Sequence, residues 1–222
     1  HDVDVISLVR TNSDKDLALE KSGVICNQMI PLMGINSYNN PFKITFHALK
    51  FRLLNYFKSI SSRKYYWSHP KIVNKIKDII VRNNYDIVQV EYFYQASIFK
   101  LSELKNTYKV IDTHNIMYEK KKLGFEHTYK KAIPKHKSQE LRKYKKDELT
   151  ILQEADLLIS ISEQDNKTFQ KILPQIKRML MYTGQDLEYF NNYPLNTEYR
   201  RVLFYGGMGS EQNIDAFFRY WN

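Results

Sequence analysis

Three short stretches carry residue types that could do chemistry. "VIDTHN" places Asp112, Thr113, His114 and Asn115 directly behind an apolar pair, and "VQVEYFYQA" does the same with Glu91 and Tyr92. An imidazole such as that of His114 can donate to a phosphate or a sugar hydroxyl, and a carboxylate such as that of Glu91 can orient a hydroxyl. Each has a plainer use as well: His114 as a cap on the next helix, Glu91 as a structural hydrogen-bond partner. The third stretch, "VLFYGGMGSEQN", follows Val202–Tyr205 with Gly206, Gly207 and Gly209. It lacks the full spacing of a dinucleotide fingerprint and has no Lys-Ser/Thr of a P-loop, so it is ambiguous alone. His1, His47, His69, His127 and His136 share no metal-ligand spacing, and no metal is expected.

Those stretches need elements to position them, and the chain alternates strand and helix patterns. "DVDVISLV", "GVICNQMIPL", "DIVQVEY", "YKVIDTH", "DLLISIS" and "IKRMLMY" read as strands. Between them, "SHPKIVNKIKDIIVRNNY" is an amphipathic helix with Ile72, Ile76, Ile79 and Ile80 on one face and Ser68 and Pro70 at its start. "QASIFKLSEL" reads as a short helix, and a long basic helical region runs to "LTILQEAD". "SEQDNKTFQKIL" is a helix whose Ser162 and Asp165 fit a capping box. Apolar strands separated by helices imply an α/β fold, a Rossmann-like parallel sheet covered by helices on both faces. In such sheets ligands bind beyond the carboxyl ends of the strands. That rule selects Glu91 and Tyr92, Asp112 to Asn115, Ser160 to Ser162, and Thr183 to Asp186.

Composition narrows the partners. The chain has 222 residues, 43% of them hydrophobic, with 7 glycines and 6 prolines, which suits a globular core without long linkers. Its one cysteine, Cys26, sits in an apolar run and excludes an internal disulfide framework. No apolar run reaches the about 18 residues of a membrane-spanning helix, and "HDVDVISLVR" is a strand pattern rather than a signal peptide. A cytoplasmic setting, or the inner face of the cell membrane, is therefore expected. The net charge of +10 favours anionic partners, and from Asn115 to Thr150 eleven Lys/Arg face five acids. That segment is either a solvated helix face or a working anionic surface. "FKITFHALKFRLLNYFKSISSRKYYW" mixes basic and aromatic residues as an interfacial helix on anionic lipid would, or as an ordinary amphipathic helix with basic outer residues would. No nucleic-acid-binding signature accompanies the charge, so no specific nucleic acid is expected.

Taken in order, "HDVDVISLV", "YDIVQVEYFYQA", "VIDTHNIMYE", "EADLLISISEQDNKTF", "TGQDLEYF" and "VLFYGGMGSEQNIDAFFRYW" resemble successive segments of the GT-B glycosyltransferases of retaining family 4, in their bacterial polysaccharide-building branch. The resemblance implies an acceptor-side domain over 1–198 and the truncated start of a nucleotide-sugar domain over 199–222. It also implies that the first family strand is missing, a gap that Val202–Tyr205 has the form to fill. The implied activity is transfer of a sugar from a nucleotide diphosphate sugar to a glycan or lipid-linked acceptor in cell-surface polysaccharide synthesis, with the anomer retained. No cofactor is implied beyond that donor, and the fragment alone is expected to be inactive. His114 matches the position that touches the transferred sugar or its phosphate, and Gly206 and Gly207 match the loop near the diphosphate. Glu91, Tyr92, Asp112 and Asn115 are the implied acceptor or sugar contacts. The alternative is a non-catalytic GT-B-like partner subunit, which would have no donor affinity; an epimerase of the same fold would need no acceptor.

Overall fold

A computed structural model describes residues 3–9, 28–33, 49–50, 67–100, 102–184, 187–188 and 211–221. Its strands are β1 (Asp4–Val9), β2 (Gln28–Met33), β3 (Ile87–Glu91), β4 (Tyr108–Asp112), β5 (Leu157–Ser160) and β6 (Lys177–Leu180). β1 and β2 pair in parallel, with Asp4 opposite Gln28. The other four form a parallel sheet in the order β3-β4-β5-β6. Helices α1 (Pro70–Asn83), α2 (Met117–Thr128), α3 (Lys135–Leu152) and α4 (Glu163–Ile172) lie in the connections. The architecture is α/β and Rossmann-like, as the alternation of elements implies.

The expectation of one sheet buried on both faces holds for β4 and β5 but not for β3. Val110, Ile111, Leu158 and Ile159 are all buried, as in the middle of a parallel sheet. In β3, Val90 is buried, whereas Ile87 is 60% exposed and Gln89 and Glu91 are exposed too. Among the described residues β3 pairs only with β4, so its other edge alternates as edge strands do. The tie to β1 is made by side chains: Tyr85 Oη donates to Asp4 Oδ2 at 2.6 Å, and Ile6 packs against the core. A cavity of about 130 Å³, bordered by Asp4, Ile6, Ile80 and Val88, lies between them.

α1 shows why these helices dock. Ile72, Ile76 and Ile80 fall four residues apart on one face and are 3–4% exposed, each burial contributing roughly 1.5–3 kcal/mol. The helix begins one residue later than the sequence suggests: His69, not Ser68, is the N-cap, and its ring accepts from Lys71 N–H while Pro70 takes the first turn. Asn84, at φ 49°, ends it in the left-handed region that asparagine tolerates. α4 starts on Ser162, whose Oγ accepts from Asp165 N–H at 3.1 Å, the first half of the expected capping box. "QASIFKLSEL" forms two 3-10 turns, Ala96–Lys100 and Ser102–Leu104, rather than an α-helix. Its buried Ala96 and Phe99 are three apart, which suits a three-residue turn.

The long basic region divides into an antiparallel pair, α2 and α3, with Pro134 just before α3. Lys121 of α2 reaches Glu140 of α3 at 2.7 Å and ties the two helices together, while Lys137 meets the same carboxylate from within α3 at 2.9 Å. The chain forms two compact units, His1–Thr183 and Gly184–Asn222. The described part of the second includes helix α5 (Glu211–Trp221), with an edge-to-face contact between Phe217 and Phe218 at 5.7 Å. Gly206, Gly207, Cys26, Asp186, the strand reading of Val202–Tyr205 and nearly all of the basic aromatic stretch lie outside the described residues.

Candidate functional site

Sheet register assembles the site. Glu91 ends β3 directly opposite Asp112, which ends β4, and Tyr92 N–H extends the ladder by donating to the Asp112 carbonyl at 2.8 Å. Two residues later the chain leaving β4 brings His114 back over this pair. His114 Nε2 lies 2.5 Å from Glu91 Oε2 and 3.8 Å from Asp112 Oδ1. Glu91 Oε1 accepts from the Gln89 amide at 3.2 Å, so both of its carboxylate oxygens are engaged.

Backbone geometry holds this arrangement open to solvent. Tyr92 and His114 are two of the three non-glycine residues with positive φ among those described, at 66° and 51°. Left-handed backbone at a bulky residue costs on the order of 1–3 kcal/mol and persists where the surroundings over-determine it. Here the surroundings are specific. Thr113 donates to the Ile159 carbonyl of β5 twice, from N–H at 3.0 Å and from Oγ1 at 2.9 Å. His114 N–H donates to Asp112 Oδ1 at 3.2 Å, and Asn115 N–H turns back to the Thr113 carbonyl. The Tyr92 ring stacks on the His114 ring, centroids 4.5 Å apart, and on Tyr94 at 5.2 Å. The His114 and Glu91 side chains are 33% and 48% exposed, whereas Asp112 is at 9%.

The structure therefore brings together His114, Glu91, Tyr92 and Asp112, with Asn115 contributing its backbone to the turn. Ser162 is spent as a helix cap, and Ser160 Oγ is buried with no protein partner among the described residues. Thr183 and Gly184 are exposed beyond β6. Glu91, Asp112 and His114 offer ligand atoms within 4.8 Å of one another, a grouping that sequence spacing does not reveal. Two donors on one divalent ion at about 2.1 Å each would sit roughly 3 Å apart. The 2.5 Å Glu91–His114 approach is a hydrogen bond instead, and we assign no cation to it. Chemically, the arrangement is an imidazole backed by a carboxylate, beside an aromatic face and a second, buried carboxylate. Such groups accept from and donate to hydroxyls.

One residue that sequence reasoning passed over supports the site from behind. Glu148 of α3 is 1% exposed, and its two oxygens accept from Met117 N–H at 2.8 Å and Tyr118 N–H at 2.7 Å. These amides begin α2, whose N-cap Ile116 has no side-chain capping bond. Burial pushes the Glu148 carboxyl up to about 7; the two backbone donors oppose that rise, and Glu119 and Asp147 add to it. The signal was available: Tyr144, Glu148, Ile151 and Leu152 share one helical face, and three of the four are apolar or aromatic.

No protein-family model matches this chain, and no curated protein matches it. Among solved structures it is similar to a sucrose-phosphate synthase from Thermosynechococcus elongatus, at 11% identity and a TM-score of 0.43, over 85% of this chain and 93% of that one.

Proposed function

We propose that this chain is the acceptor-side α/β domain, with the start of the donor-side domain, of a GT-B glycosyltransferase that uses a nucleotide diphosphate sugar. The observation that carries the reading is the Glu91–His114 pair at the carboxyl ends of two adjacent parallel strands, where α/β sheets bind their ligands. The ordered resemblance of six segments to retaining family 4 supplies the reaction class. In this reading Glu91 and Asp112 accept hydrogen bonds from sugar hydroxyls, and Tyr92 steadies the imidazole by stacking on it. His114, oriented by Glu91, contacts the hydroxyl or phosphate nearest the reacting carbon. With the anomer retained, the donor's leaving phosphate takes the acceptor proton, so no covalent nucleophile is needed. Gly206 and Gly207 would admit the diphosphate to backbone N–H groups.

A glycan or lipid-linked acceptor, and work in cell-surface polysaccharide synthesis, fit the same reading. So does a peripheral place on an anionic inner membrane face, since Lys122, Arg142 and Lys145 are exposed on α2 and α3 around Leu123, itself 62% exposed. None of the described helices is long and apolar enough to cross a membrane.

The test is a screen of nucleotide sugars for hydrolysis and transfer by the full-length gene product, beside His114→Ala. Turnover of one donor that His114→Ala abolishes supports the reading. Absence of both turnover and donor binding in a folded protein would overturn it in favour of a non-catalytic partner subunit.

A further inference from the structure

The turn that carries His114 is only four residues long, Thr113 to Ile116, and it is anchored at both ends. At the front Thr113 is fixed to β5 by its two bonds to the Ile159 carbonyl. At the rear the anchor is not on the turn's own element: Glu148 of α3 grips Met117 and Tyr118 N–H, and Ile116 just before them is 2% exposed. One helical turn before Glu148, Tyr144 meets Phe93 edge-to-face at 5.7 Å. Phe93 follows Tyr92, the residue that stacks on His114. A single stripe of α3 thus touches both segments that form the site. We propose that Glu148 is a positioning residue for His114, holding the left-handed turn that sets the imidazole on Glu91.

The chemistry of the contact explains why a carboxylate is used. The first N–H groups of a helix have no intrahelical partner, and a helix N-terminus carries partial positive charge. A buried carboxylate with two lone-pair-bearing oxygens satisfies two such donors at once, with a directionality that an apolar side chain lacks. Because the hydrogen bonds fall on consecutive amides, the start of α2 can neither unwind nor slide without breaking both. His114, three residues before the first of them, has its φ of 51° fixed between this anchor and Thr113. The Glu119, Asp147 and Tyr118 groups flank the carboxylate, and Lys145 lies over the Tyr118 ring at 4.6 Å.

The inference takes its importance from reading His114 as the site's working imidazole, but its test needs no substrate, so the two fail separately. Nuclear magnetic resonance of the full chain would compare wild type with Glu148→Gln, which keeps the shape and removes one acceptor. Glu140→Gln serves as the control, since it loosens the same helix pair without touching the start of α2. In Glu148→Gln, amide exchange at Met117 and Tyr118 should speed up on the order of tenfold or more. The His114 ring signals should also move, and the Tyr92–His114 ring contact should weaken, while Glu140→Gln leaves both in place. Faster exchange with an unchanged His114 ring would make Glu148 a helix cap and nothing more. Equal movement in both variants would trace the effect to general loosening of the helix pair, and would also overturn the proposal. Should Glu148→Gln fail to fold, exchange in the wild type decides. Thr113 to Asn115 and Met117 to Tyr118 should open as one cooperative unit, and opening of 113–115 at a much lower free energy would contradict the link.

Discussion

Two regions of this molecule use charge in opposite ways. The cluster beyond β3 and β4 gathers Glu91 and Asp112 around His114, an acidic site in a chain of net charge +10. The α2–α3 pair, one connection away, carries the basic surplus on exposed side chains. Net charge therefore reports the second region and hides the first. That cluster is held by hydrogen bonds of Glu91 to the His114 and Gln89 side chains and of Asp112 to the His114 backbone N–H. The helix pair holds its lysines by ion pairs at its surface, some half-buried, and by cation–π contacts such as Lys121 over Tyr144 at 4.6 Å. Contacts of that kind contribute little individually.

The contrast can be broken most sharply at His114. Replacing it by alanine should lower turnover of the matching donor by about 10²- to 10⁴-fold, the usual worth of a positioned acid or base, with the thermal midpoint little changed. An equal loss from removing the cations of α2 and α3 would erase the distinction between the regions.

Next in size is the pH dependence that Glu148 imposes. Its folded-state value is raised to about 7, so between roughly pH 4.5 and 7 the folded protein binds the proton that the unfolded chain has released. Stability from this group is therefore highest at acid pH, falls as pH rises through that window, and is level above it. The full span is about 3 kcal/mol as an upper figure. Urea unfolding at pH 5 and pH 8 should show a difference in wild type that Glu148→Gln removes.

Glu91→Gln should be milder than His114→Ala. It keeps a hydrogen-bond partner for the imidazole but removes the charge, and a loss of about tenfold in turnover is expected. Smallest of all, Arg142→Ala should weaken binding to anionic vesicles by about 1 kcal/mol, and leave soluble-acceptor chemistry alone. Flotation assays at low and physiological salt would read this.

Much of the fold was legible because it rests on local patterns. The isoleucines of α1 and the apolar runs of β4 and β5 each face one environment, and period alone reveals that. β3 was read correctly as a strand but not as a half-exposed edge, since neighbours decide that and they lie far off in sequence. The polar ends of β3 and β4 marked the site, but register and two left-handed residues made it. Nothing in "VQVEY" or "VIDTHN" says that Glu91 and His114 are bonded across 23 positions. Glu148 left one trace, its place on the face of Tyr144, Ile151 and Leu152, but only the packing of α3 shows that it grips the start of α2.

The most direct measurement follows the histidine rings and backbone amides by nuclear magnetic resonance while a soluble acceptor sugar is added to the full-length gene product. The expected result is movement of His114, Glu91 and Tyr92 signals with those of Arg142 and Lys145 unmoved. Movement confined to the basic helix pair, with the His114 cluster silent, would contradict the assignment of the site to the ends of β3 and β4.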